Sequence, residues 1–85
     1  MTTADSLKSL ADMKIEESGT IVEIHGGEGV STRLAAIGVI PGKKIMKTSS
    51  FSVRGPVTIK IDRAQLALGY GMADKIMVRT DGSAP

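Results

Sequence analysis

Few side chains of this 85-residue sequence could act as catalysts or hold a metal ion. His25 is its one histidine, and the sequence contains no cysteine. His25 and Glu28 are three residues apart, and both are possible ligands of a divalent first-row metal ion. A specific site needs three or more ligands held in place by further contacts. We therefore expect no metal site, and interpret residues 25–29 as a solvated, glycine-rich loop.

Known catalytic patterns are also missing from the sequence. No serine near His25 lies in a nucleophile-elbow pattern. The glycines of residues 26–29 are not followed by the Lys-Ser or Lys-Thr that ends a phosphate-binding loop. No pair of carboxylates is flanked by residues that indicate a cleft. The sequence thus predicts a protein without enzymatic activity and without a cofactor.

The basic residues offer another kind of chemistry, which is contact with an acidic partner. Six of them are expected around two adjacent strands and their turns: Lys43, Lys44, Lys47, Arg54, Lys60 and Arg63. They form either a solvated face or a contact surface that mainly raises the association rate. A basic surface of this kind could also bind RNA. However, Phe51 and Tyr70 are the only aromatic residues available for stacking on bases. We expect no nucleic-acid partner.

One apolar residue lies among these charges. Ile40 precedes Pro41 and must therefore be extended, so it could be exposed at the turn. An exposed isoleucine with basic neighbours is typical of an interface hot spot. The predicted partner-binding residues are Arg33, Ile40, Lys43, Lys44 and Arg54.

A short helix over about residues 31–37 must position this surface. Ser31 can cap its N-terminus, and Gly38 can take the positive φ that ends a helix. Pro41 and Gly42 suit the two corners of a tight turn. Three apolar residues share one helical face and are expected in the core: Val30, Leu34 and Ile37.

The rest of the chain shows short segments typical of strands. They are predicted at residues 20–24, 44–48, 56–62, 65–68 and 75–80. Leu7, Leu10 and Met13 indicate either a helical turn or a lead-in strand, and a helical turn is possible near residues 70–74. Strands this short cannot leave both faces of a sheet exposed to water. They therefore predict a small, SH3-like, partly open barrel of about five strands. Edge strands of an open barrel can pair between copies, and the strand at 44–48 is one candidate for such weak self-association.

The length of the chain allows one domain, which we place at residues 7–80, with flexible tails at 1–6 and 81–85. The first residues lack the apolar run of a signal peptide. No apolar stretch is long enough to cross a bilayer. We expect a cytoplasmic protein that does not insert into membranes.

Four different blocks of sequence follow one another across residues 10–79. They read Gly19-x-Ile21-x-x-Ile24, Leu34-x-x-Ile37-Gly38-x-x-Pro41-Gly42-x-x-Ile45, Gly55-Pro56-Val57-x-Ile59, and Leu66-Ala67-Leu68 followed by Ala73-Asp74-Lys75-Ile76-x-Val78. In these blocks the sequence resembles the FeoA family, the small cytoplasmic partner of the bacterial ferrous-iron permease.

The resemblance implies an SH3-like β-barrel with inserted helices. It also implies a non-enzymatic role in ferrous-iron uptake, through contact with the permease, whose cytoplasmic part is a GTPase. The same fold occurs as the C-terminal domain of some iron-dependent repressors, so a regulatory interaction domain is one alternative. A basic small barrel that binds RNA is the other.

Overall fold

A computed structural model of the chain describes residues 7–50 and 54–81. Within these residues the strands are β1 (Leu7–Ser9), β2 (Ser18–Ile24), β3 (Lys44–Ser50), β4 (Val57–Ile61), β5 (Ala64–Leu68) and β6 (Ile76–Thr80). The helices are α1 (Gly27–Ala35) and the single turn α2 (Tyr70–Ala73), and a 3-10 helix spans Leu10–Asp12. No helix among the described residues is long and apolar enough to span a bilayer.

All neighbouring strands pair antiparallel, in the order β1-β6-β2-β3-β4-β5. The two ends of this order are β1 and β5, so the described sheet is not closed and the prediction of a partly open, mainly β fold is confirmed. The prediction of β3 as a free edge is wrong, because β2 and β4 cover its two sides. The cause is the turn before it, where Gly42 donates its backbone N–H to Ile21 O at 2.7 Å and returns the chain alongside β2.

The alternation in β4 predicts its burial correctly. Val57, Ile59 and Ile61 are buried, whereas Thr58 is half-buried and Lys60 is exposed. Successive strand residues point to opposite faces, so one face of β4 packs on the core and the other faces solvent. The same rule holds in β6, where the predicted inward residues are buried.

The core contains aliphatic residues and methionine, and no aromatic ring among the described residues. Its buried members are Leu10, Met13, Ile21, Leu34, Val39, Ile45, Val57, Ile59, Ile61, Leu68, Ala73, Ile76 and Val78. Burying one such large side chain stabilises a fold by about 1.5–3 kcal/mol. The five strands β2 to β6, the helices α1 and α2, and the 3-10 helix all contribute buried residues to this one cluster.

The N-terminal segment combines the two structures that its sequence allowed. Leu7–Ser9 pairs with β6, and the chain then forms the 3-10 helix, where Asp12 donates its N–H to the Ser9 hydroxyl at 3.3 Å. Leu10 and Met13 are buried, whereas Leu7 is 51% exposed. This segment supplies a strand beyond the five that were counted from the sequence.

The expected tails are described only in part. Residues 1–6 and 82–85 lie outside the described residues. Asp81, expected to begin a flexible tail, donates its N–H to Ser18 O at 3.0 Å and its carboxylate pairs with Lys44 at 2.9 Å. Asp81 thus contacts the sheet, and the bounds of the domain and its tails stay a prediction.

Helix α1 begins and ends earlier than residues 31–37, so the predicted bounds are wrong. Gly26 and Gly27 take positive φ angles of 102° and 83°, a conformation that glycine adopts without strain. They let the chain enter the helix almost directly after β2. Ser31 consequently lies inside α1 and does not cap it, and most of the predicted loop at residues 25–29 is helical.

Candidate partner-binding site

Hydrogen bonds after the last turn of α1 return the chain to the core. Gly38, with a φ of 88°, donates its N–H to Ala35 O at 3.0 Å, and Val39 donates to Leu34 O at 2.9 Å. This pair of bonds is the Schellman motif, in which an apolar residue after the glycine packs against the helix. Leu34 and Val39 are both buried. They fix the end of α1 and confirm Gly38 as its stop.

Ile37 is exposed, so its assignment to the core is wrong. The helix ends at Ala35 and the chain reverses at Gly38, which removes Ile37 from the buried face that Leu34 occupies. Its side chain is 46% exposed, and that of Ile40, expected at the surface, is 39% exposed. Two large apolar side chains thus reach solvent within four residues of sequence.

The turn that carries Ile40 is held firmly against β2. Ile40 O accepts the N–H of Lys43 at 3.3 Å, and Gly42 has a φ of 96°. A positive φ at this corner, with proline at the corner before it, defines a type II turn. Ile21 anchors it from both sides, because its O accepts from Gly42 at 2.7 Å and its N–H donates to Lys43 O at 2.9 Å. The turn therefore presents Ile40 on a rigid support.

We call this region the α1–β3 surface. It consists of Arg33, Ile37, Ile40 and Lys43. Arg33 is exposed in the last turn of α1, and no ion pair of the described residues involves it. The surface combines two exposed isoleucines with a cation on each side in sequence.

Two of the predicted contact lysines already have acidic partners. Lys43 Nζ lies 2.8 Å from Asp62 Oδ2, and Lys44 Nζ lies 2.9 Å from Asp81 Oδ2. Surface pairs of this kind contribute about 0–1 kcal/mol to stability. Their main effect is to reduce the positive charge that these lysines offer to a partner.

Arg54 lies apart from the other predicted contact residues. It is exposed in the turn between β3 and β4, next to the far end of β3, whereas Lys44 begins that strand. A seven-residue strand is about 20 Å long. The structure therefore does not bring Arg54 to the α1–β3 surface.

Lys47, placed on a basic face by its charge, is buried, and that placement is wrong. Its residue exposure is 4%, and its Nζ donates to Ala11 O at 3.0 Å and to Met13 O at 2.7 Å. Burial lowers the pKa of Lys47, and the charges of Asp12 and Glu17 oppose this in part. Lys47 thus ties the 3-10 helix to β3 and is not available to a partner.

A comparison with known protein families identifies the chain. The model of the FeoA domain matches residues 8–80. The chain belongs to the FeoA family.

Solved structures agree with this assignment. A crystal structure of an iron uptake regulatory protein, FeoA, is 31% identical, with a TM-score of 0.79 over 87% of this chain and 96% of that one. FeoA of Stenotrophomonas maltophilia in complex with zinc, described as a prokaryotic SH3 domain protein, is 18% identical, with a TM-score of 0.69 over 82% of this chain and 87% of that one. The SH3-like fold is confirmed. No curated protein sequence matches the chain.

A repressor contains the same fold as part of a longer chain. A manganese-dependent transcriptional repressor is 21% identical, with a TM-score of 0.81 over 94% of this chain. The match covers 44% of the repressor, so this FeoA-family chain corresponds to less than half of that protein. At this level of identity the likeness concerns the fold.

The candidate metal ligands of this FeoA-family chain are dispersed. His25 Nε2 lies 3.1 Å from Glu23 Oε2, with both side chains more than half exposed, and Glu28 lies in the first turn of α1. Among residues 7–50 and 54–81, no three His, Asp or Glu side chains are grouped closely enough to hold a metal ion. We therefore consider the α1–β3 surface, and not a metal site, as the candidate functional site.

Proposed function

We propose that this chain is a non-enzymatic accessory protein of bacterial ferrous-iron uptake, which binds the cytoplasmic GTPase part of the ferrous-iron permease. The observation that carries the proposal is the family match over residues 8–80. The S. maltophilia relative, described as possibly acting as a bacterial ferrous iron transport activating factor, supports the same role. The protein would act in the cytoplasm, where that part of the permease lies.

The α1–β3 surface is the part of the molecule best suited to this contact. The described residues include four exposed large hydrophobic side chains: Leu7, Ile15, Ile37 and Ile40. Two of the four, Ile37 and Ile40, are three residues apart in this segment, with Arg33 before them and Lys43 after them in sequence. A small apolar centre with a charged rim is the usual composition of a binding hot spot. The surface is also preorganised by the Schellman motif and the type II turn, which reduces the entropy lost on binding.

The test is binding of the isolated GTPase domain to wild type and to two matched variants. Ile40→Asp places a charge at the centre of the surface, whereas Ile15→Asp makes the same change in the turn before β2. Ile15 is 56% exposed and Ile40 is 39% exposed, so both variants should fold. We expect Ile40→Asp to weaken binding at least tenfold, or about 1.4 kcal/mol, and Ile15→Asp to leave it unchanged.

Calorimetry and thermal unfolding of the same samples separate the possible causes. Unchanged binding of a folded Ile40→Asp variant would remove the α1–β3 surface from the proposal. Failure of wild type to bind the GTPase domain would contradict the proposed function itself.

A regulatory interaction domain is the second candidate, and the fold match to the manganese-dependent repressor favours it. The partner of such a domain would be a peptide or a repressor-like protein. This chain would then not be retained in a pull-down with the GTPase domain of the permease. RNA binding receives less support from the structure. Of the six basic residues considered, Lys43 and Lys44 are in ion pairs and Lys47 is buried.

A further inference from the structure

The outer side of β5 is an open sheet edge. β5 pairs with β4 on one side, and no backbone hydrogen bond of the described residues reaches its other side. Natural edge strands are commonly protected by charges, proline, bulges or a covering element. The β5 sequence, Ala-Gln-Leu-Ala-Leu, contains none of the protective residues, and Ala64, Gln65 and Ala67 are exposed. This edge is therefore able to pair with another strand.

The hairpin geometry shows which backbone groups are free. A two-residue turn places Ile61 opposite Ala64, and such a closing pair exchanges hydrogen bonds. Hydrogen-bonded pairs alternate along an antiparallel ladder, so Leu66 and Leu68 also point their backbone groups toward β4. The N–H and C=O groups of Gln65 and Ala67 then point away from the sheet, toward an added strand.

The two faces beside this edge differ in chemistry. Leu66 is half-buried and packs against the core cluster, on the face shared with the buried Leu68. Gln65 lies on the opposite face, where it is paired with Lys60 and its amide donates to Thr48 Oγ1 at 3.4 Å. An added strand would place alternate side chains on these two faces. Apolar residues fit beside Leu66, and polar residues fit beside Gln65.

The charges near the edge indicate which charge the polar residues of an added strand should carry. Lys60 and Arg63 are exposed, and neither takes part in an ion pair among the described residues. Asp62, the acidic residue between them, is paired with Lys43. An added strand would lie two strand spacings, or about 10 Å, from β4, and a lysine and a glutamate side chain together can span that distance. Complementary charge thus favours acidic residues on the solvent face of the added strand.

We propose that β5 binds an extended segment of a partner protein in which acidic and apolar residues alternate. The segment adds a seventh strand, with its apolar residues beside Leu66 and its acidic residues toward Lys60 and Arg63. Strand addition of this kind takes affinity from main-chain hydrogen bonds and specificity from alternate side chains. The α1–β3 surface does not include this edge, so the inference does not rest on the proposed function.

The probe is a ten-residue acetylated peptide in which Glu and Val alternate, and the control probe has Lys in place of Glu. Both are titrated into the full chain and followed by amide NMR shifts and hydrogen exchange. We expect the Glu peptide to bind at least tenfold more tightly than the Lys peptide. Exchange of the Gln65 and Ala67 amides should slow, because only these β5 donors face outward.

Matched variants test the edge directly. Ala67→Pro removes an outward donor that β4 does not use, and proline is tolerated on edge strands in this orientation. Ala67→Val keeps the donor and serves as its control. We expect loss of Glu-peptide binding in the first variant and retention in the second. If Ala67→Pro does not fold, the double variant Lys60→Glu and Arg63→Glu should reverse the preference between the two peptides.

Several outcomes would overturn the proposal. They are no binding of the Glu peptide, equal binding of both peptides, or shifts centred away from β5. Concentration-dependent dimerisation of wild type that Ala67→Pro abolishes would also overturn it, because a second copy of the chain would then be the occupant of the edge.

Discussion

Replacing Lys47 with Met is expected to destabilise the fold where the N-terminal segment meets the sheet. The Lys47 ammonium donates to Ala11 O at 3.0 Å and to Met13 O at 2.7 Å, at the end of the 3-10 helix. Methionine retains most of the apolar stem but cannot donate, so both carbonyls lose this partner. The variant therefore isolates the contribution of the buried amine.

The expected loss follows from these two bonds. A hydrogen bond to a charged group contributes about 1.5–3 kcal/mol, so two contribute about 3–6 kcal/mol before the desolvation cost of the ammonium is subtracted. That cost is real here, because burial lowers the pKa of Lys47. We expect a net loss of about 2–3 kcal/mol, which for a domain of this size lowers Tm by roughly 10–20 °C.

The assay is urea and thermal unfolding, with Lys44→Met as the matched control. Lys44 lies on the same strand, its side chain is 66% exposed, and it makes one surface ion pair. Its replacement should cost less than about 1 kcal/mol. Equal losses in the two variants would refute the reasoning, because they would show that the buried hydrogen bonds of Lys47 contribute no more than a surface ion pair.

The pH dependence gives a second signature of the same group. The folded pKa of Lys47 is below its ordinary value of 10.5, so between the two values the unfolded chain binds more protons than the folded one. In this window the Lys47 contribution raises wild-type stability as pH increases. The stability difference between wild type and Lys47→Met should therefore widen as pH approaches 10.5. A narrowing difference would contradict the assigned direction of the shift.

Other substitutions test the packing and the charges elsewhere. Gly19→Ala should cost about 1–3 kcal/mol, because an added Cβ would meet the backbone O of Arg79 with no room to move. Leu34→Ala should cost about 2–5 kcal/mol by leaving a cavity under α1, as measured by urea unfolding. Burial alone would raise the pKa of Glu17, but a backbone N–H and the Lys8 ammonium, 3.3 Å away, more than offset it and lower the pKa from 4.5. Glu17→Gln should therefore be less stable than wild type at neutral pH, and the difference should shrink as pH falls below 4.5.

Most of the sheet could be predicted from the sequence because each strand has a local pattern. Alternation places Ile59 in the core and Lys60 in solvent, and β-branched residues dominate β2 and β4. Such patterns give the strands but not their order. The free edge was predicted at β3, whereas the edges are β1 and β5, since strand order depends on contacts between distant segments.

The bounds of α1 depended on glycine conformation, which the sequence leaves open. Ser31 is a good capping residue, but positive φ at Gly26 and Gly27 starts the helix earlier and makes that cap unnecessary. The sequence did contain a signal for the C-terminal end of α1. An apolar residue directly after a helix-ending glycine is part of the Schellman motif, and it would have placed Val39 in the core and left Ile37 exposed.

Lys47 shows why charge alone was a poor guide to the candidate site. Residues two apart on a strand share a face, so Lys47 follows the buried Ile45 inward. The alternation of buried and exposed residues along β3 therefore indicated that Lys47 would be buried. Its two acceptors come from Ala11 and Met13, more than thirty residues earlier in the chain, and no local pattern indicates them.

The measurement that tests the account most directly is calorimetric titration of the permease GTPase domain with wild type, Ile40→Asp and Ile15→Asp. We expect wild type and Ile15→Asp to bind with equal affinity, and a folded Ile40→Asp variant to bind at least tenfold more weakly. Equal affinity of wild type and both variants, or no binding of wild type, would contradict this expectation.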